Sequence, residues 1–148
     1  MKNIKIYLVS KYEYSSKIGT WTYYIEYKGA VKKSTGTMKN ARSSARMLLV
    51  ALIQALMCLN QPCNIVVISK VPLGFRNIIS SPNNDLLCHI HDLILRHKHM
   101  ASFKVDNDFS NVEEWERQAK IAKDDAEANY YDRLANDNYM MNHQYEYL

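Results

Sequence analysis

A chain of 148 residues is long enough for one ordinary domain, burying about two-thirds of the surface its unfolded form exposes. Its 47% hydrophobic and 23% charged residues, with only 4 Gly and 3 Pro, exclude collagen-like, coiled-coil and low-complexity classes. The net charge of +4 conceals a split: residues 1–104 carry 15 Lys/Arg against 4 Asp/Glu, net +11, whereas residues 105–148 carry 4 against 11, net −7.

Residues 4–10 (IKIYLVS) alternate and then run apolar, as a strand with one buried face does. A polar stretch, residues 11–17, follows, and then TWTYYIEY (20–27), whose aromatic and β-branched residues pack well on a pleated surface. Lys28 and Gly29 make a turn into AVKKSTGTM (30–38), a partner strand weakened by Gly36 and placed near an edge. These three strands predict an antiparallel meander. Asn40 or Ser43 can cap the next helix, which runs to about Leu59 and is apolar around nearly its whole circumference, so it should lie centrally against the sheet. CNIVVIS (63–69) is a continuous apolar run typical of a parallel strand covered on both faces, which makes the intervening helix a right-handed crossover. A short helix around 75–79, a SSPNN loop, a helix over 85–97 and a short strand at 102–105 complete the sheet. From Val112 a charged helix continues to at least Ala128, and the Tyr-rich remainder extends it or frays.

The longest apolar run, residues 47–59, is broken by Gln54 and falls short of the ~20 residues a membrane span needs. The apolar stretch behind Lys2 and Lys5 ends at Ser10 with no small-residue cleavage site, so a cytoplasmic protein without membrane association is expected. Cys58, Cys63 and Cys88 are odd in number and lack CxxC spacing, which predicts buried free thiols in a reducing compartment.

Four of the five histidines fall in CHIHDLILRHKH (88–99), but only His89 and Asp92 could share a helix face, and no second ligand pair exists, so no metal is expected there. There is no phosphate-binding GxxxxGK[ST], no GxGxxG and no nucleophile elbow. Trp21, Tyr23, Tyr24 and Tyr27 could stack on bases, although aromatic strands usually furnish core.

Three segments carry a resemblance. ARMLLVALIQAL (45–56) is similar to the central helix of ribonuclease H, usually NRMELxAxxxAL; NIVVISKV (64–71) resembles its strand ending in TDS; and VDNDFSNVEEWERQAKIAK (105–123) resembles its closing loop and helix, VKGHxGxxxNExADxLAK. The resemblance spans roughly residues 4–123 in matching element order. It implies an α/β ribonuclease H-like fold, a mixed five-stranded sheet (an antiparallel three-strand meander plus parallel strands) flanked by helices. Residues 1–123 would form this domain, and 124–148 a C-terminal helical extension or a partly flexible acidic, Tyr-rich tail.

The family cuts with four carboxylates that hold two Mg²⁺ ions. Under this alignment the first falls near Val9 or Ser10, the second on Leu48, the third on Lys70 and the fourth on Ala119, while the loop His falls near Asn107 or Asp108. All four ligands are absent, so the expectation is a non-catalytic module with no catalytic residues, cofactor or metal. A Lys at a metal position would repel Mg²⁺ yet offer a phosphate a counter-charge, or it could simply point to solvent. Glu13, Asp106 and Asp108 are the acidic residues from which a nonstandard metal site could be rebuilt.

In the family, the region between the second strand and the central helix meets nucleic-acid backbone. Lys39, Asn40, Arg42, Ser43, Ser44 and Arg46, with Lys70, are therefore the candidate nucleic-acid-binding residues, the +11 segment supplying the field. The same charge split also fits a solvated surface with an acidic helix over basic strands. The expected function is binding of a nucleic acid or nucleoprotein complex without cleavage, as a phage or mobile-element accessory or inhibitor protein. The alternatives are a protein-interaction module, docking through the acidic C-terminal helix, and a residual metal-dependent nuclease.

Overall fold

The computed structural model describes the backbone of residues 1–146 and the side chains of residues 1–136. Met1–Asp108 forms one compact unit and Phe109–Leu148 a second. The first holds strands β1 (Lys2–Glu13), β2 (Ile18–Tyr27) and β3 (Ala30–Met38), helix α1 (Ser44–Met57), strand β4 (Cys63–Ser69), a 3-10 turn at Phe75–Asn77, helix α2 (Asn84–Arg96) and strand β5 (Met100–Val105). They build one mixed sheet in the order β3-β2-β1-β4-β5: antiparallel from β3 to β1, parallel from β1 to β5.

Alternation in β1 sets the register. Ile4, Ile6 and Leu8 face α1, and the ladders align Ile6 with Ile25 and Val67, Leu8 with Tyr23, and Ile4 with Ile65. α1 packs its apolar surface onto this face: Met47, Leu49, Ala51, Leu52 and Ala55 are fully buried, and Gln54 is exposed. α2 adds Leu87 and Ile90 from a narrower stripe and keeps His89, His91 and Asp92 exposed, as an amphipathic helix at the margin of a core does. On the opposite face of the sheet, Tyr7, Tyr24 and Ile68, adjacent in register, are buried as well.

Local chemistry explains the joints. Tyr27 pairs with Ala30 across a two-residue turn in which Lys28 (φ 49°) and Gly29 (φ 82°) are both left-handed, the geometry that matches the twist of a hairpin. Gly36 sits opposite Trp21, whose indole occupies the space a Cβ would take, so the residue that weakens β3 in the sequence is there to admit the ring.

Two expectations need correction. The polar residues 11–13 are strand, not loop: Lys11 pairs with Thr20 and Glu13 with Ile18, extending the hairpin to where no side chain needs burial. All three cysteines are free, but only Cys63 is buried; Cys58 sits at the C-cap of α1 and Cys88 on the outer face of α2.

In the second unit, helix α3 runs over Ser110–Glu146. Its first turns are stitched by the Glu114–Arg117 ion pair at 2.7 Å, and Phe109 and Val112 are buried, whereas Ile121, Tyr130, Tyr131 and Leu134 are exposed. No helix among the described residues is long and apolar enough to cross a membrane.

Candidate nucleic-acid interface

The segment between β3 and α1 is held in place before it presents anything. Asn40 is left-handed (φ 56°), a conformation its short polar side chain tolerates. Ala41 is buried and its N–H donates to the Lys17 carbonyl at 2.9 Å, fixing this segment against the turn between β1 and β2. Ser43 then takes the extended geometry of an N-cap, and its Oγ accepts the Arg46 N–H at 3.1 Å, satisfying one of the amides a helix start leaves orphaned. Lys17, Lys39, Asn40 and Arg42 are all exposed around this fixed path. Anionic groups are favoured at such a helix start by its dipole.

Ser44 joins this segment to β1. The Ser10 hydroxyl donates to the Ser44 carbonyl at 2.9 Å, and the two Oγ atoms lie 2.7 Å apart. Arg46 turns the other way: it is half-buried, and its guanidinium donates to both carboxylate oxygens of Asp85, at 3.0 and 2.8 Å, and to Asn83 Oδ1 at 3.5 Å. This bidentate pair ties the start of α1 to the start of α2 and holds the Asp85 carboxyl down to about 2, mainly through the hydrogen bond from Arg46.

Lys70 is exposed and follows β4 directly, in a turn closed by Ser69 Oγ donating to the Val71 carbonyl at 2.7 Å. The last β1–β4 pair is Tyr7 with Ile68, so Lys70 leaves the sheet level with Val9, one residue from Ser10. The structure thus groups Lys39, Asn40, Arg42, Ser43 and Ser44 on one continuous segment, directs Arg46 into an internal ion pair, and sets Lys70 beside the same end of β1.

The two-Mg²⁺ centre implied by the resemblance does not fit these residues. Ser10 is engaged by Ser44, Leu48 is buried among apolar side chains, and Lys70 is a cation. The acidic residues from which a site could be rebuilt are also engaged locally: Glu13, at the end of β1, accepts from Ser15 at 2.8 Å, and Asp106 accepts the Asp108 N–H at 2.9 Å and pairs with Lys104 at 3.4 Å. Among the described residues no three His, Cys, Asp or Glu side chains come together as metal ligands.

The strand order, the mixed ladder and the helix positions define a ribonuclease H fold, and comparison with solved structures agrees. The compost-derived LC11 ribonuclease H1 superposes with a TM-score of 0.60 at 15% identity, covering 77% of this chain and 92% of that one. The same enzyme in complex with an RNA/DNA hybrid gives 0.58 at 14%, covering 68% and 84%. Ribonuclease H1 of the archaeon Halobacterium salinarum gives 0.57 at 11%, covering 69% and 85%. No protein-family profile and no curated protein matches the sequence.

Proposed function

We propose that this chain binds nucleic acid, alone or in a nucleoprotein complex, and does not cut it. The observation that carries the reading is the pinned segment Lys39–Ser44, which presents Lys39, Asn40, Arg42 and the N-terminal turn of α1 beside a β1 end that offers Ser10 and Lys70 in place of carboxylates. A phosphate backbone laid along this edge would meet cations and amides; a Mg²⁺ ion would meet Leu48 and an ammonium. That the LC11 ribonuclease H1 is found in complex with an RNA/DNA hybrid supports this reading. Residues 1–123 are taken as the binding domain and 124–148 as an extension. Acting by occupancy in the cytoplasm suits an accessory or inhibitor protein of a phage or mobile element.

Fluorescence anisotropy with a labelled RNA/DNA hybrid, titrated from ~50 to ~200 mM salt, tests this. Binding should weaken steeply with salt, and Lys39→Ala and Arg42→Ala should each reduce the log–log slope by about 1. Undetectable binding at low salt, or slopes unmoved by both changes, sinks the reading.

One observation favours a second reading, that of a protein-interaction module: Ile121, Tyr130, Tyr131 and Leu134 lie exposed along α3 within a strongly acidic sequence. Co-purification with a protein that is retained after nuclease treatment, and lost when Tyr131 and Leu134 become Ser, would favour it.

A further inference from the structure

We infer that the cavity at the carboxyl ends of β4 and β5 binds a nucleotide, a planar base carrying a phosphate. This rests on its own geometry and not on the Lys39–Ser44 surface. The cavity has a volume of about 530 Å³, within the size range of small-molecule sites, and lies where parallel strands end, the usual position of ligands in α/β sheets.

Its walls combine the two features a nucleotide requires. The row of core residues Ile25, Ile6 and Val67 continues in register to Phe103 on the edge strand, a residue that is 42% exposed. Phe103 stacks on Phe75 at a centroid distance of 4.3 Å and an interplanar angle of 27°, leaving an aromatic platform that opens into the cavity over a floor that includes Leu73. An aromatic face of this kind receives any base, because every base has a π-surface. Arg76 lines the cavity, and Asn77 adds amide donor and acceptor groups for a base edge. Lys104, in register with Ile68, belongs to the opposite face of the sheet and pairs with Asp106 at 3.4 Å, so the Arg76 guanidinium is the partner for a phosphate dianion.

Gly74 shapes the entrance. It is left-handed at φ 101°, a conformation that glycine adopts freely and other residues rarely do, although a Cβ there would meet Leu87 and Ser81 only at ordinary contact distances.

The ligand could be a free nucleotide or an unpaired terminal nucleotide of a bound strand. Isothermal titration of the full chain with AMP, and separately with adenosine and with inorganic phosphate, tests the site. AMP should bind saturably with 1:1 stoichiometry, and adenosine and phosphate more weakly. Phe103→Ala and Arg76→Ala should each weaken AMP by about tenfold, whereas Phe103→Tyr should retain it and the Lys39→Ala/Arg42→Ala pair should leave it unchanged. A single-stranded oligonucleotide, intact or abasic at its 3′ end, separates the sources. Competition by AMP against the intact strand alone assigns a strand terminus; AMP binding without competition assigns the free nucleotide. The inference is overturned if neither AMP nor the oligonucleotide loses affinity on Phe103→Ala and Arg76→Ala, or if AMP gives no saturable binding and the intact and abasic strands bind alike.

Discussion

Leu48 occupies the position where the resemblance places a catalytic carboxylate, and it is 6% exposed in an apolar cluster. A carboxylate there would lose its hydration without gaining a partner. Leu48→Glu should therefore destabilise the domain by about 3 kcal/mol in urea unfolding and should not by itself create hybrid cleavage. His99 is a second residue with readable chemistry. It is buried, its Nδ1 accepts the Cys63 N–H at 3.1 Å, and among the described residues its Nε2 has no hydrogen-bond partner. Burial, with a smaller contribution from His97, lowers its pKa below the usual imidazole value of 6.5. Because the folded state prefers neutral His99, its contribution to stability is complete above pH ~6.5 and is lost as pH falls toward the lower folded value. Urea midpoints should fall between pH 7.5 and 5.0, and His99→Gln should flatten the dependence; an unchanged slope would show that other groups set it. Neither Arg46–Asp85 nor His99–Cys63 was legible in the sequence. Each joins residues 36 or more positions apart through a polar contact that leaves no periodic trace.

At the level of elements, the hydrophobic pattern was most informative where burial is two-sided. Strand β4, Cys63–Ser69, has the bounds its apolar run predicts, and Tyr23 and Tyr24 are core, as aromatic strand residues usually are. The pattern failed at Lys11–Glu13, where pairing continues without a buried face, and at the start of β5, where Met100 and Ala101 precede the apolar signal. It also could not reveal the cavity, whose Phe75 and Phe103 lie on separate elements. The helix cap was legible only as a choice between Asn40 and Ser43. The structure assigns the cap to Ser43 and gives Asn40 the left-handed turn ahead of it. Ser43→Ala should cost about 1 kcal/mol in thermal or urea unfolding, and Ser43→Asp should restore most of it. Equal stability of the Ala and Asp variants would mean that the cap bond is not holding α1 in place.

For the whole molecule, the charge split sets the expected behaviour. Residues 124–148 carry Asp124, Asp125, Glu127, Asp132, Asp137 and Glu146 against Arg133, a net of −5. Removing them should leave a folded domain that binds a polyanion several-fold more tightly at low salt, with the difference shrinking as salt screens it. A truncated chain that unfolds, or that binds no better, would contradict the proposed division at residue 123.

The most direct measurement follows one labelled RNA/DNA hybrid in a single sample containing Mg²⁺ or Mn²⁺, by anisotropy for binding and by gel for strand integrity. The expected result is salt-sensitive binding with the hybrid intact after prolonged incubation. Cleavage that disappears on Asp106→Asn, or no binding at low salt, would contradict it.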